Sequence, residues 1–292
     1  MHQYLKAIGF GSLNTKSKVD SVVNQVEWEY THHELVGVER KWDFCEFKRE
    51  YGPGIGIALA GYMDIDELFS KEYYYPFFKG TGITSYSEII VEKRVEKEDY
   101  VGICEDLKVG VSLIFKLQNA IEFLREKQKG NKTIKYTSVT ISGLCNKGTI
   151  LLPILKSEEQ KKVINEESKS RMSLINDAKE GDPLAMESLT LDDIDVYSKV
   201  SRRLISEDIL SIVDTYIMPY GVECDIYSIM GEIRSLNLIE NEVSKEKIYV
   251  MGLDVNGLNF DICVPQRGLR GEPAVGRRFK GNMLMQGHIH FR

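Results

Sequence analysis

Ile248-Tyr249-Val250-Met251-Gly252-Leu253 and, beyond Gly257, Ile262-Cys263-Val264-Pro265 carry the pattern from which the fold is read. An apolar strand ends at a glycine, a short polar turn follows, and a second apolar strand ends near a proline. Short apolar runs punctuated by glycine and proline are strand signals. The pattern occurs twice more. One copy runs from Ile55 through Gly61, with turn residues Asp64 to Glu67, to Tyr73-Tyr74-Tyr75-Pro76. The other runs from Ser138 through Gly143-Leu144 and Gly148 to Leu151-Leu152-Pro153. In this copy and the one at Ile248 the paired glycines are five positions apart, 143 to 148 and 252 to 257. Upstream, Gly110 precedes Gly143 by 33 positions and Gly221 precedes Gly252 by 31. Each opens a similar run, Val111-Ser112-Leu113-Ile114-Phe115 and Val222-Glu223-Cys224-Asp225-Ile226. The spacing predicts two related antiparallel β-meander units, near 100–155 and 209–265.

Helical spacing appears elsewhere. Val19, Val22, Val23 and Val26 predict a helix over Lys18 to Tyr30. Lys116 to Arg125 keeps that period as well, through Leu117, Ile121 and Leu124, so strand and helix both stay open there. Residues 156–195 hold six basic and eleven acidic residues and no aromatic, the composition of a solvated helical segment. Gly181-Asp182-Pro183 breaks it, and Pro183 suits the first turn of a following helix. Thr190-Leu191-Asp192-Asp193 reads as an N-cap opening a helix with Ile194, Tyr197, Val200 and Leu204 on one face. The expected fold class is therefore α+β and β-rich, with two related meander units joined by a charged helical segment. The expected divisions are 1–155, an N-terminal helix with a β-hairpin unit; 156–205, the helical connector; and 206–292, the second meander with a basic C-terminal segment.

The chain has 292 residues, 42% hydrophobic and 28% charged, which is ample for a core and excludes disorder over most of its length. A net charge of -6 argues against nucleic acid or an anionic membrane as partner. No basic region followed by an apolar run opens the chain, and no apolar stretch is long enough to cross a bilayer, so a cytoplasmic location is expected. The five cysteines are odd in number and form no CxxC, which predicts free, mostly buried thiols.

The sharpest candidate site is the C-terminal basic segment. From Gln266 to Arg292 the basic residues are Arg267, Arg270, Arg277, Arg278, Lys280 and Arg292, against one acid, Glu272. Guanidinium forks beside glycine-exposed backbone amides suit phosphate or carboxylate. Arg270, Arg277, Arg278 and Lys280 are the expected ligand residues. The competing account pairs these arginines with the acidic 156–195 segment inside the fold. His288 and His290, two apart on an expected strand, share a face. Without a spaced third ligand they read as polar strand-face histidines, and no metal or cofactor is expected. Glu223-Cys224-Asp225 would put two carboxylates on one strand face and Cys224 in the core. Tyr73, Tyr75 and Phe77 would share a face that belongs to the core or to a subunit interface. No G-x-S-x-G, H-E-x-x-H or zinc-spaced cysteine set is present, so no catalytic residue is assigned. The leading reading is a non-enzymatic binding or interaction module for an anionic ligand or partner; an enzyme acting on a phosphorylated or carboxylated small molecule is the alternative. A small anion, a protein partner and a second copy of the chain are the partners this reading admits.

The order of several longer stretches resembles a known family. Gly181-Asp182-Pro183-Leu184-Ala185-Met186-Glu187-Ser188-Leu189-Thr190, Asp195-Val196-Tyr197-Ser198, Glu207-Asp208 and Met218-Pro219-Tyr220-Gly221-Val222-Glu223-Cys224-Asp225 follow one another as they do there. The closing Gly271-Glu272-Pro273-Ala274-Val275-Gly276-Arg277-Arg278-Phe279-Lys280-Gly281 and the opening Met1-His2-Gln3-Tyr4-Leu5-Lys6-Ala7-Ile8-Gly9-Phe10 fit as well. Over essentially its whole length the chain is similar to an uncharacterised domain-of-unknown-function family from anaerobic Gram-positive, clostridial-type bacteria. The resemblance implies a cytoplasmic bacterial protein. It implies no activity, cofactor or catalytic residue.

Overall fold

Gly52-Pro53-Gly54 turns the chain between two largely buried strands, and a four-stranded antiparallel sheet grows around that turn. Its members are β1 (His32–Glu39), β2 (Trp42–Gly52), β3 (Ile55–Met63) and β4 (Phe69–Phe78), in that order. The computed structural model describes residues 2–39, 41–94, 98–106, 110–129, 136–154 and 157–291; Lys156 and Arg292 of the charged segments lie outside them. Before the sheet comes α1 (Lys16–Val26), capped by the Thr15 side chain, which buries Val19, Val23 and Val26. The β3–β4 turn is fixed by Asp64, whose Oδ1 accepts from the Asp66 and Leu68 amides at 2.9 and 2.8 Å.

The second sheet takes most of the remaining chain. Its elements are β5 (Ile89–Lys93), β6 (Tyr100–Glu105), β7 (Ser112–Leu117), β8 (Tyr136–Leu151), β9 (Tyr216–Pro219), β10 (Ile226–Glu240), β11 (Lys247–Val255), β12 (Leu258–Pro265), β13 (Leu269–Arg270) and β14 (Arg278–Phe291). Helix α2 (Ala120–Gln128) follows β7, which resolves the open choice over Lys116 to Arg125 as strand first and helix second. Between β8 and β9 lie α3 (Glu158–Lys179), α4 (Pro183–Arg203) and the single turn α5 (Ile209–Ile212). Strand β14 pairs with β8 and β10, β10 with β11, β11 with β12, and β12 with β8, so these five strands close into a ring. β7, β6 and β5 continue outward from the end of β14. One apolar cluster, with Phe44, Phe115, Phe279 and Met283, fills the ring and the space facing the smaller sheet. Another joins the opposite face of β2 and β3 to α1 and the N-terminal residues.

The architecture is α+β and β-rich, in two sheets. Two of the three glycine-turn hairpins form, β3–β4 and β11–β12. The middle one does not: Ser138 to Leu151 lies within the single 16-residue strand β8. The reason is what the glycines do. Asn256 and Gly257 have φ of 53° and 80°, the backbone of a primed two-residue hairpin turn. At Gly148, by contrast, a Cβ would come 2.2 Å from the Phe279 ring, so this glycine admits a side chain from β14 rather than a turn. The upstream match also differs, since β7 follows Gly110 whereas the chain after Gly221 turns before β10 begins at Ile226. Thr190 is no N-cap: α4 starts at Pro183, with Asp182 accepting from the Leu184 amide at 2.8 Å, and Thr190 lies inside it.

All five cysteines are free; Cys45, Cys104, Cys145 and Cys263 are buried and Cys224 is exposed. Burial pushes the four buried thiols up in pKa. A thiol reagent should therefore label one cysteine of the native protein rapidly and the other four only on unfolding. Fewer than five reactive thiols in denaturant without reductant would contradict this assignment.

Candidate functional site: a cleft between the two sheets

Alternation along β14 turns Gln286, His288 and His290 toward the smaller sheet, and each has a task there. Gln286 is fully buried. Its Oε1 accepts from the Phe78 amide at 3.1 Å and from Gln118 Nε2 at 2.9 Å, while its Nε2 donates to the Pro76 carbonyl at 2.8 Å. Ser142 Oγ and Gln118 Nε2 donate to the Phe78 carbonyl at 2.6 and 2.8 Å. β4 is the edge of its sheet, and Pro76 lacks an amide to offer a further strand. The glutamine and serine side chains of the larger sheet satisfy its outer backbone groups instead.

Above this clamp a cleft of about 480 Å³ opens, lined among others by His32, Lys48, Phe77, Lys79, His288 and His290. Lys48 and His32 stand opposite each other in the β1–β2 register. Lys79 follows β4 and is placed by its amide, which donates to the Gly54 carbonyl at 2.8 Å. Thr140 faces His288 across β8 and β14. Asn119 joins the start of α2 to β14, accepting from the Ile289 amide at 3.1 Å and donating to its carbonyl at 2.8 Å.

The two cations are oriented by neighbours. Lys48 Nζ lies 2.6 Å from Glu46 Oε2 and donates to the Gln118 carbonyl at 2.9 Å. Lys79 Nζ lies 2.5 Å from Glu50. Glu34, an acid of the lining, is engaged by Arg125 at 2.9 Å and by His32 at 3.7 Å. Burial, then His290, Lys48 and Lys79, hold the His288 pKa down at about 4, so this imidazole is neutral near pH 7. Thr140 Oγ1 donates to the Gly82 carbonyl and lies 2.9 Å from His290 Nε2. Its single proton being used, the hydroxyl accepts from the Nε2–H of His290. Ammonium groups, imidazoles and the aromatic wall of Tyr75 and Phe77 thus meet in one space. Among the described residues no group of three or more His, Cys, Asp or Glu side chains could hold a metal ion.

Behind the wall lies a buried charge network. Tyr75 donates to Glu46 Oε1 at 2.6 Å. The Lys116 ammonium stands 4.3 Å from the Tyr75 ring centre and 5.0 Å from that of Tyr73, paired with Asp99. Arg94 spans Asp99 at 3.5 Å and Asp225 at 2.6 Å.

None of the four residues chosen from the C-terminal basic segment lines this cleft. Arg278, only 5% exposed, donates to the carbonyls of Leu152, Val213 and Leu210 at 3.0, 2.9 and 2.9 Å. Its fork is used by backbone, not by carboxylates of 156–195. Arg277 donates to the Glu272 carbonyl at 2.6 Å. Arg270 is exposed at the end of β13, and Lys280 is half-buried beside β8 and β10. His288 and His290 do share a face, with ring centres 5.1 Å apart. His32 reaches the same cleft, while His33 packs against Phe47 on the other side of the sheet. Glu223-Cys224-Asp225 lies before β10 rather than within a strand, which reverses its expected faces: Cys224 is exposed and Asp225 is buried against Arg94. Lys48, Lys79 and Gln118 were not singled out by sequence. The one signal for Lys79 was its place after the Tyr73–Phe78 aromatic run.

No helix among the described residues is long and apolar enough to cross a membrane. No curated protein and no solved structure matches the chain. Residues 5–287 match the profile of a family described as a domain of unknown function, E. rectale gene description (DUF3881), and the chain belongs to that family.

Proposed function

We propose that the protein is a binding module whose inter-sheet cleft takes a small molecule carrying a phosphate or carboxylate group. The observation that carries this reading is the convergence of Lys48, Lys79 and a neutral His288 in one space. Lysine ammonium groups are point-charge donors for such anions, and the imidazoles add further hydrogen-bonding groups. Phe77 and Tyr75 supply an apolar wall for the rest of the molecule, as small-molecule sites require. On this reading the C-terminal segment contributes its histidines, Arg277 and Arg278 hold the fold, and the helical segment 156–205 stays outside the cleft. An enzyme acting on the same class of molecule is the second reading. It is favoured by His288, a neutral imidazole able to take up a proton beside a bound anion.

A thermal-shift screen of phosphorylated and carboxylated metabolites tests the site. A stabilising ligand should be found, because binding to the native state raises the melting temperature by mass action. Changing Lys79→Ala with His288→Ala should weaken it about tenfold or more, the scale of one lost charge-assisted hydrogen bond. Changing Arg270→Ala with Lys280→Ala should leave it intact. Loss in the second variant and not the first would move the ligand to the basic segment. Turnover of the stabilising compound would decide for the enzyme.

A further inference from the structure

Helices α3 and α4 form a hairpin that packs on itself and broadly on no strand. Among the described residues Ala185 is the only buried one of α4, and none of α3 is buried. Helices of 22 and 21 residues that bury so little are not held by each other, since helices in water depend on packing of an apolar face. Such a face exists and is uncovered. Leu184, Leu191, Ile194 and Tyr197, spaced seven, three and three apart, are 72%, 59%, 56% and 75% exposed, and Ile205 beyond the helix end is 87% exposed. At 3.6 residues per turn these positions form one stripe along the side of α4.

The charges beside the stripe indicate what covers it. Glu187 and Asp192 lie in the first half of α4 and Lys199 and Arg202 in the second, with Asp195 just past the midpoint. The remaining charges already have partners within the chain: Asp193 takes Arg171 at 2.7 Å, and Arg203 takes Glu207 at 2.5 Å. A helix acidic at one end and basic at the other complements itself when a second copy runs antiparallel. Each acidic half then meets a basic half, and both helix dipoles oppose. A parallel pairing would set like against like.

We infer that the protein forms a homodimer through antiparallel packing of α4 against α4 of a second copy, the two hairpins making a four-helix bundle. A helix of 21 residues is about 30 Å long, enough for a hairpin face near the ~800 Å² per partner of a standard interface. The assignment is independent of any ligand in the cleft.

Sedimentation of the full chain across nanomolar to tens-of-micromolar concentration tests it, with a dimer expected at the upper end. Leu191→Asp with Ile194→Asp should give a monomer whose unfolding of the sheets is unchanged. Lys199→Glu with Arg202→Glu should weaken the dimer about tenfold or more. Adding Glu187→Lys and Asp192→Lys inverts the pattern and should restore it. That rescue separates complementarity from damage to the hairpin, and helicity is read on each variant. A wild-type monomer throughout would overturn the inference and leave the stripe to a different partner. A dimer indifferent to Leu191 and Ile194, or a helical inverted variant that stays monomeric, would overturn it as well.

Discussion

Asp99→Ala is expected to cost about 3–5 kcal/mol of folding stability, the loss seen when a buried ion pair is broken from one side. Lys116 is 1% exposed and keeps its charge between two tyrosine rings because Asp99 is beside it. Burial already lowers the Lys116 pKa from 10.5 despite Asp99. Removing the carboxylate lowers it further, while the unfolded value stays near 10.5. Between those two values the unfolded state binds the extra proton, so stability rises with pH. The deficit of Asp99→Ala relative to the wild type should therefore shrink as pH rises through the wild-type Lys116 pKa, which lies below 10.5, and stay level above it. Urea titrations of both proteins at neutral and alkaline pH check this. A deficit below 1 kcal/mol at neutral pH, or one that grows with pH, would mean that Asp99 does not hold the Lys116 charge.

Gln286→Leu is expected to destabilise by about 3 kcal/mol or more. Leucine fills similar space but leaves the Phe78 amide and the Pro76 carbonyl without their partner and costs the Gln118 amide one of its hydrogen bonds. Each buried unsatisfied group costs about 1–3 kcal/mol. Because these groups tie the edge of the small sheet to β14, hydrogen exchange should accelerate first at β4. An unchanged denaturation midpoint would show that β4 does not depend on this clamp.

The legible part of the fold was the part with local turn chemistry. Asn256-Gly257 and the Asp64 turn each fix a hairpin through residues within a few positions of each other. Gly148 looked the same in sequence, but its role is set by Phe279, more than a hundred positions away. No local pattern could report that contact. The acidic segment was legible as helix by composition, and Pro183 opens α4 as its suitability for a first turn indicated, whereas Thr190 lies inside that helix.

For the candidate site the division is similar. Strand alternation put His288 and His290 on one face, and likewise Tyr73, Tyr75 and Phe77. What alternation cannot give is which faces of two sheets meet. Lys48 and Lys79 are unremarkable in sequence and gain meaning only where β2 and β4 face β14. The run of arginines drew attention by density, yet the structure turns Arg278 onto three backbone carbonyls. Local charge density does not distinguish a fork aimed at a ligand from one aimed at the ends of neighbouring elements.

The central claim is that the cleft holds an anion beside His288. Its most direct test is the His288 imidazole titration by NMR, with inorganic phosphate and with chloride at matched ionic strength. Without phosphate the pKa should be low, about 4, set by burial and by the nearby cations. An anion bound there stabilises the imidazolium and must raise that pKa, saturably and with no effect on His33. A His288 pKa that is the same in phosphate and in chloride, at concentrations where phosphate stabilises the protein, would contradict the account.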